Sequence, residues 1–224
     1  MVVGNGFLAK AFKSYLDNDD VIIFASGVSK STETLVVEFQ RELDLLRNFY
    51  DTPKKFIYFS TVSTIDGSEK SDYINHKMNV ESIIANKFTN YLIFRLPIVV
   101  GNDANNVTFF NSIKRNIIEG NELEIYNVGR YLIDIEDLSK FLPIFINDQN
   151  EKNKIINVCF DNFNDVSDII GKMEFYLNKS VKKTYKIYKK NHKIESNYFI
   201  SKSGLNQEGY TDNLIKKYLV SPEH

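Results

Sequence analysis

Along the first half of the chain, short apolar runs alternate with amphipathic helical stretches. This alternation narrows the fold more than any other feature. The runs are Met1-Val2-Val3, Val21-Ile22-Ile23-Phe24-Ala25, Phe56-Ile57-Tyr58-Phe59 and Tyr91-Leu92-Ile93-Phe94-Arg95-Leu96. After the first, Phe7, Leu8, Ala11, Phe12, Tyr15 and Leu16 repeat at helical spacing. A second helix is expected from about Thr34 to Phe49, with Leu35, Phe39, Leu43 and Leu46 on one face, closed by Pro53. A third is expected from Tyr73 to about Phe88, with Val80, Ile83 and Ile84 apolar. Strand then helix, repeated, predicts an α/β fold: a Rossmann-like, doubly wound parallel sheet with helices on both faces. Ligands of such sheets sit at the carboxyl ends of the strands, where Gly4, Gly6, Ser26, Thr61 and Pro97 all fall.

Beyond Gly101 the alternation loosens. Helices are expected over 109–118, 135–145, 166–176 and 213–219, with Pro143 bending the second, and strands over 123–126, 155–158 and 184–188. With no linker in view, the chain reads as one domain, 1–224. A small C-terminal α+β lobe, mainly from about 102–130 and 155–224, is expected to pack over the strand ends.

The turn after the first strand reads Gly4-Asn5-Gly6-Phe7-Leu8-Ala9, a G-x-G-x-x-A pattern. The first glycine permits a tight turn, the second lets backbone approach a pyrophosphate, and the small third residue lets the helix pack on the sheet. The helix N-terminus would face the phosphates. Ser26-Gly27-Val28-Ser29, after the second strand, are small enough to line a cofactor.

The third strand breaks into hydroxyls at Ser60, Thr61, Ser63 and Thr64, turns at Asp66-Gly67, and gives way to a helix at Tyr73. Tyr73 and Lys77 stand four apart and share a helix face. Tyr50/Lys54, Tyr185/Lys189 and Tyr198/Lys202 repeat the spacing, but the Tyr73 pair alone follows a strand ending in Ser-Thr. A phenol beside an ammonium is a proton-transfer arrangement. Lys77 is expected to lower the pKa of Tyr73 while Thr61 holds a substrate oxygen.

Composition excludes several alternatives. A net charge of -1 gives no electrostatic case for nucleic acid or an anionic membrane. The lone Cys159 rules out an internal disulfide framework and fits a reducing compartment. With no apolar run long enough for a bilayer and no signal peptide, a cytoplasmic protein is the expectation.

Taken in order, these pieces resemble the extended short-chain dehydrogenase/reductases of the NAD-dependent epimerase/dehydratase type, which act on nucleotide sugars. The matching segments are Gly4 to Ala9, Ser60-Thr61, Tyr73-x-x-x-Lys77, Arg95-Leu96-Pro97 through Gly101, and Arg130-Tyr131-Leu132-Ile133-Asp134-Ile135-Glu136-Asp137. The resemblance implies that Thr61, Tyr73 and Lys77 are a catalytic triad, with Lys77 also holding the nicotinamide ribose. It implies that Gly4, Asn5, Gly6, Phe7, Leu8, Ala25, Ser26, Gly27 and Pro97 line the cofactor, NAD or NADP. Ser63 and Arg130 would meet the substrate, the planar fork of Arg130 suiting a diphosphate. No metal is called for, and a homodimer stays open.

The chain departs from that family in three places. Dehydratases of the family carry an Asp-Glu pair straight after the catalytic threonine, where this chain has Val62 and Ser63. The connection from Thr61 to Tyr73 is much shorter than usual. The segment before Val21 also looks deleted. If Val21–Ala25 corresponds to the family's fourth strand, the second and third are absent. If it corresponds to the second, Ser26, Ser29 and Lys30 are placed to meet a 2′-phosphate. Right-handed crossover favours the second placement, and the Ala-Ser-Gly-Val-Ser run favours the first, which we prefer. The implied function is an NAD(P)-dependent keto-reductase or epimerase of a nucleotide-linked sugar, serving surface polysaccharide synthesis, and not a 4,6-dehydratase. The rival is a non-catalytic nucleotide- or sugar-binding regulatory protein on the same, trimmed fold.

Overall fold

The computed structural model describes residues 1–65, 71–102, 108–126, 128–160, 163–186 and 193–220. The turn expected at Asp66-Gly67 and the end of the strand expected to reach Tyr188 lie outside them.

Val2–Val3 form β1, and the glycine turn leads into α1 (Phe7–Ala11) and a 3-10 turn at Lys13–Tyr15. The helical pattern expected to reach Leu16 is thus delivered in two short pieces. Then come β2 (Val21–Phe24), α2 (Val36–Arg47), β3 (Lys55–Thr61), a 3-10 turn at Val62–Thr64, α3 (Asp72–Lys87) and β4 (Tyr91–Leu96). Ser71 caps α3, its hydroxyl accepting the Ile74 amide at 3.2 Å, which satisfies an orphan donor of the first turn.

The second half contains β5 (Ile98–Val100), α4 (Phe109–Glu119), β6 (Leu123–Tyr126), β7 (Gly129–Arg130), β8 (Leu132–Asp134) and α5 (Ile135–Ile146). It ends with β9 (Lys154–Asn157), β10 (Asn164–Asp165), α6 (Val166–Leu177), β11 (Lys183–Lys186), α7 (Asn197–Ser203) and α8 (Tyr210–Val220). α5 runs through Pro143 without ending there.

The expected parallel sheet is present, in the order β1-β2-β3-β4-β9. This order decides between the two placements of β2. A doubly wound sheet of order 3-2-1-4-5 sets its first strand between the second and the fourth. Here β2 pairs with β1 on one side and with β3 on the other, so it stands in the fourth position. Among the described residues no strand pairs with the outer edge of β1.

The two faces of the sheet confirm what that costs in chirality. Phe12 and Tyr15, after α1, and Leu138, Phe141, Leu142 and Phe145 of α5 pack on Val21, Ile23, Ile57, Phe59, Leu92 and Phe94. Leu46 of α2 and Val80 and Ile84 of α3 pack on the alternate residues Ile22, Phe24, Phe56, Tyr58 and Ile93. The chain therefore takes the same step across the sheet from β1 to β2 and from β2 to β3, but on opposite faces. The two connections have opposite hands, so one departs from the right-handed rule. A doubly wound sheet has this geometry once its second and third strands are left out.

A further core joins α4, α6 and α8 through Phe110, Ile113, Ile117, Ile169, Ile170, Met173, Leu214 and Ile215. Around it, β5 pairs with β8, β6 with β11, and β7 antiparallel with β10. Among the described residues no helix is long and apolar enough to cross a membrane.

Candidate active site

The glycine turn at the end of β1 has two glycines with different reasons to be glycine. Gly4 sits at φ 119°, and a Cβ there would lie 2.6 Å from the Ala25 carbonyl oxygen, so conformation and space both require it. Gly6 has an ordinary φ of -74°, and a Cβ on it would meet nothing within 4 Å. The protein itself leaves the space over Gly6 open. Asn5 is exposed between them. Phe7 and Leu8, expected at the cofactor, turn their side chains to the core, Phe7 against Gly101 and Ile135. Backbone is what they can offer a ligand.

Ala25 and Ser26 continue from β2. The Ser26 carbonyl and hydroxyl oxygens accept from Arg41 Nη1 at 3.2 and 3.4 Å. A Cβ on Gly27 would stand 2.8 Å from both Glu42 Oε1 and Lys77 Nζ. Gly27 is therefore a glycine because a buried ion pair lies directly against its backbone.

Thr61 ends β3 and Tyr73 opens α3, and the two side chains are brought together, the Thr61 hydroxyl near enough to the Tyr73 phenol to lower its pKa. Thr61 Oγ1 also accepts the Ser63 amide at 3.2 Å, which folds the turn back under the threonine. Lys77 lies one helical turn on, its Nζ 5.9 Å from the centroid of the Tyr73 ring. Tyr73 is buried, at 8% exposure, and Lys77 at 2%. Pro97 is half-buried between β4 and β5. Arg130 stands half-buried on β7, where its guanidinium makes a single long contact of 3.5 Å to the neighbouring Gly129 carbonyl. It has no carboxylate in ion-pair range among the described residues.

The pKa of Tyr73 moves opposite to the sequence expectation. Burial raises it and the Glu42 carboxylate raises it further, with the Thr61 hydroxyl opposing. The reason is that Lys77 is already engaged: its ammonium donates to Tyr58 OH at 2.7 Å and to Glu42 Oε1 at 3.3 Å. Burial lowers the pKa of Lys77, and Glu42 works against that shift.

The sequence reading missed Glu42, Tyr58 and His76, which gather with Lys77 in one buried cluster. Glu42 is fully buried. Its Oε1 accepts from Tyr58 OH at 2.6 Å as well as from Lys77, and its Oε2 accepts the Val28 amide at 2.6 Å. His76 Nε2 lies 2.9 Å from Oε2, and its ring stacks on Phe39. Burial pushes the Glu42 carboxyl up. Lys77, with hydrogen bonds from His76, Tyr58 and Val28, outweighs this and holds it down at about 2. The signal was in the helix face: Phe39, Glu42 and Leu46 follow helical spacing, while Leu35, assigned to that face, is exposed ahead of the helix. A second buried set lies one turn further along α3. Glu81 accepts from Ser60 Oγ at 2.5 Å and pairs with Arg95 of β4, which ties strand ends to helix.

The parallel sheet β1-β2-β3-β4-β9 with helices on both faces is an α/β fold that matches solved structures of extended short-chain dehydrogenase/reductases. The chain is similar over nearly its whole length to solved structures of that fold. One is RMD from Pseudomonas aeruginosa complexed with NADPH (TM-score 0.74, 14% identity, 98% of this chain and 97% of that one). Another is UDP-glucuronic acid 4-epimerase from Bacillus cereus with UDP-glucuronic acid and NAD (TM-score 0.72, 17% identity, 95% and 76%). A third is dTDP-glucose 4,6-dehydratase from Bacillus anthracis with NAD (TM-score 0.67, 13% identity, 96% and 78%). No family profile matches the sequence, and no curated protein does.

Proposed function

We propose that the protein is an NAD(P)-dependent oxidoreductase or epimerase of a nucleotide-linked sugar. The observation that carries this reading is the placement of Tyr73 and Lys77 on one face of α3, with Thr61 beside Tyr73 at the carboxyl end of β3. When bound, the nicotinamide coenzyme supplies the hydride acceptor or donor. Gly4, Asn5 and Gly6 with the small residues Ala25 to Gly27 would hold it, the open space over Gly6 fitting the approach of a diphosphate. Lys77 would meet the nicotinamide ribose with a remaining N–H.

The chain's own groups do the proton work. Tyr73 gives its phenolic proton to a substrate oxygen, or takes one from a hydroxyl, and Thr61 holds that oxygen by a hydrogen bond. Because Tyr73 is buried and its pKa raised, it enters as the neutral acid, which suits the reductive direction. Ser63 lines the same turn, and Arg130, with no carboxylate partner among the described residues, is available for a diphosphate.

The reading does not extend to 4,6-dehydration. That elimination needs an acid and a base beside the sugar, and Val62 and Ser63 supply neither.

One observation favours a second reading, a nucleotide- or sugar-binding regulatory protein: among the described residues no strand pairs with the outer edge of β1, the side of such a sheet that cradles adenosine. Incubation with nucleotide hexoses and nucleotide-linked ketosugars, each with NAD(H) and NADP(H), separates the readings. Coenzyme turnover or an epimer is expected, without a product lighter by one water. Binding without turnover across the panel would favour the regulatory reading.

A further inference from the structure

We propose that Glu42 is a positioning residue of the active site: one buried carboxylate fixes the Lys77 ammonium against Tyr58 and leaves it an N–H donor for the ligand. This rests on the oxidoreductase reading above.

The geometry is specific. Four donors converge on the Glu42 carboxylate from three directions: the Val28 amide from the loop after β2, Tyr58 from β3, and His76 and Lys77 from α3. The cofactor loop, the catalytic strand and the catalytic helix are therefore referenced to the same two oxygen atoms. Tyr58 OH donates to Glu42 and accepts from Lys77, so the lysine is held at two points. An ammonium has three N–H donors, and two are taken. Gly27 provides the room, since any side chain there would strike the pair.

Stability alone does not explain such an arrangement. A buried ion pair gains little over apolar residues of the same volume, because desolvation offsets the attraction. An apolar filling of the space between α2 and α3 would extend the surrounding core of Leu46, Val80 and Ile84. What the carboxylate adds is a fixed, charged lysine in an otherwise dehydrated position.

The groups that face Lys77 are Glu42 and Arg41 from α2, Tyr58 from β3, and Tyr73 and Glu81 from α3; His76, also on α3, reaches it through Glu42. Of these, Glu42 is the anion in contact with it. Removing that charge lowers the Lys77 pKa, because burial is then left without its main opposing charge.

The test follows Lys77 directly, in protein carrying carbon-13 at lysine Cε, with the resonance assigned by its loss in Lys77→Arg. In Glu42→Gln the Lys77 titration is expected to fall, and the alkaline limb of kcat/KM to move down with it. The kcat should drop about tenfold or more with the sugar KM little changed, and Glu42→Asp should recover part of both. Gly27→Ala, which forces the pair apart while keeping both residues, should move the same readouts and stands in if Glu42→Gln does not fold. An active wild type whose Lys77 titration and pH profile are unmoved by these substitutions overturns the proposal alone. A wild type that neither binds coenzyme nor turns over any nucleotide sugar removes the oxidoreductase reading and the proposal with it.

Discussion

Among the described residues two lysines are buried, Lys55 at the start of β3 and Lys77 on α3 near the strand's carboxyl end, and they are held in opposite ways. Lys55 opens β3 and donates to the carbonyl oxygens of Ile146 and Asp148, 2.8 Å each, at the C-terminal end of α5. A helix end leaves such carbonyls without partners, so a lysine there completes the structure. Lys77 meets a carboxylate that is itself fully buried and a phenol that is buried with it. The first lysine answers a need the backbone creates. The second belongs to a charged cluster that nothing in the backbone calls for, beside a tyrosine and a threonine at the strand's carboxyl end. The difference separates a cap from a site.

The largest effect comes from breaking each lysine in turn. Lys77→Met strands Glu42, and loss of one partner of a buried pair costs about 3–5 kcal/mol. Lys55→Met leaves helix-end carbonyls unsatisfied at about 1–3 kcal/mol. Urea unfolding of both variants measures the gap, and turnover should vanish in the first and persist in the second. Equal destabilisation with activity kept in both would erase the distinction.

Tyr73→Phe sharpens the comparison without touching either lysine. Turnover should fall roughly 10²–10⁴-fold, the usual loss for a positioned general acid. Stability should change by only about 1 kcal/mol, since the buried ring is kept and only its hydroxyl is lost. Steady-state rates and urea midpoints check the two halves separately.

The ion pair also predicts an acid limb. The Glu42 pKa is depressed from 4.5 to about 2 in the folded protein, so its contribution is complete above pH 4.5 and is lost as pH falls toward 2. That contribution is on the order of 3 kcal/mol. Urea midpoints measured between these pH values should fall steeply in the wild type and less so in Glu42→Gln. Parallel curves would place the acid sensitivity elsewhere.

The smallest effect on stability is expected at Gly6. A side chain there meets no protein atom, so Gly6→Val should leave the melting temperature nearly unchanged while weakening coenzyme binding. Equal losses in both would make Gly6 a structural turn residue.

The sheet was legible because a parallel strand covered on both faces is a nearly continuous apolar run, as β2, β3 and β4 are, and the helices because their apolar residues recur at helical spacing. Thr61, Tyr73 and Lys77 were legible because the strand end and the helix face adjoin in sequence. Glu42 was missed: its spacing from Phe39 and Leu46 puts it on the buried face of α2, but the partners that give it a role come from β3, α3 and the loop at Val28, which are remote in sequence. α7, with seven residues, and β7 and β10, with two each, are too short for any period to register. The position of β2 was decided by the small-residue run over the handedness rule. That rule describes complete strand–helix–strand units and loses force where a five-residue helix serves as the crossover.

If the site takes a nicotinamide dinucleotide although, among the described residues, no strand pairs with the outer edge of β1, the coenzyme must stabilise the folded protein. The most direct measurement is thermal unfolding of the purified protein titrated with NADH and with NADPH. A ligand that binds the native state must raise its apparent stability, by about 2.7 kcal/mol at a hundred times Kd. The account predicts a concentration-dependent rise with at least one of the two, reduced in Gly6→Val. No rise with either coenzyme at millimolar concentration would contradict it.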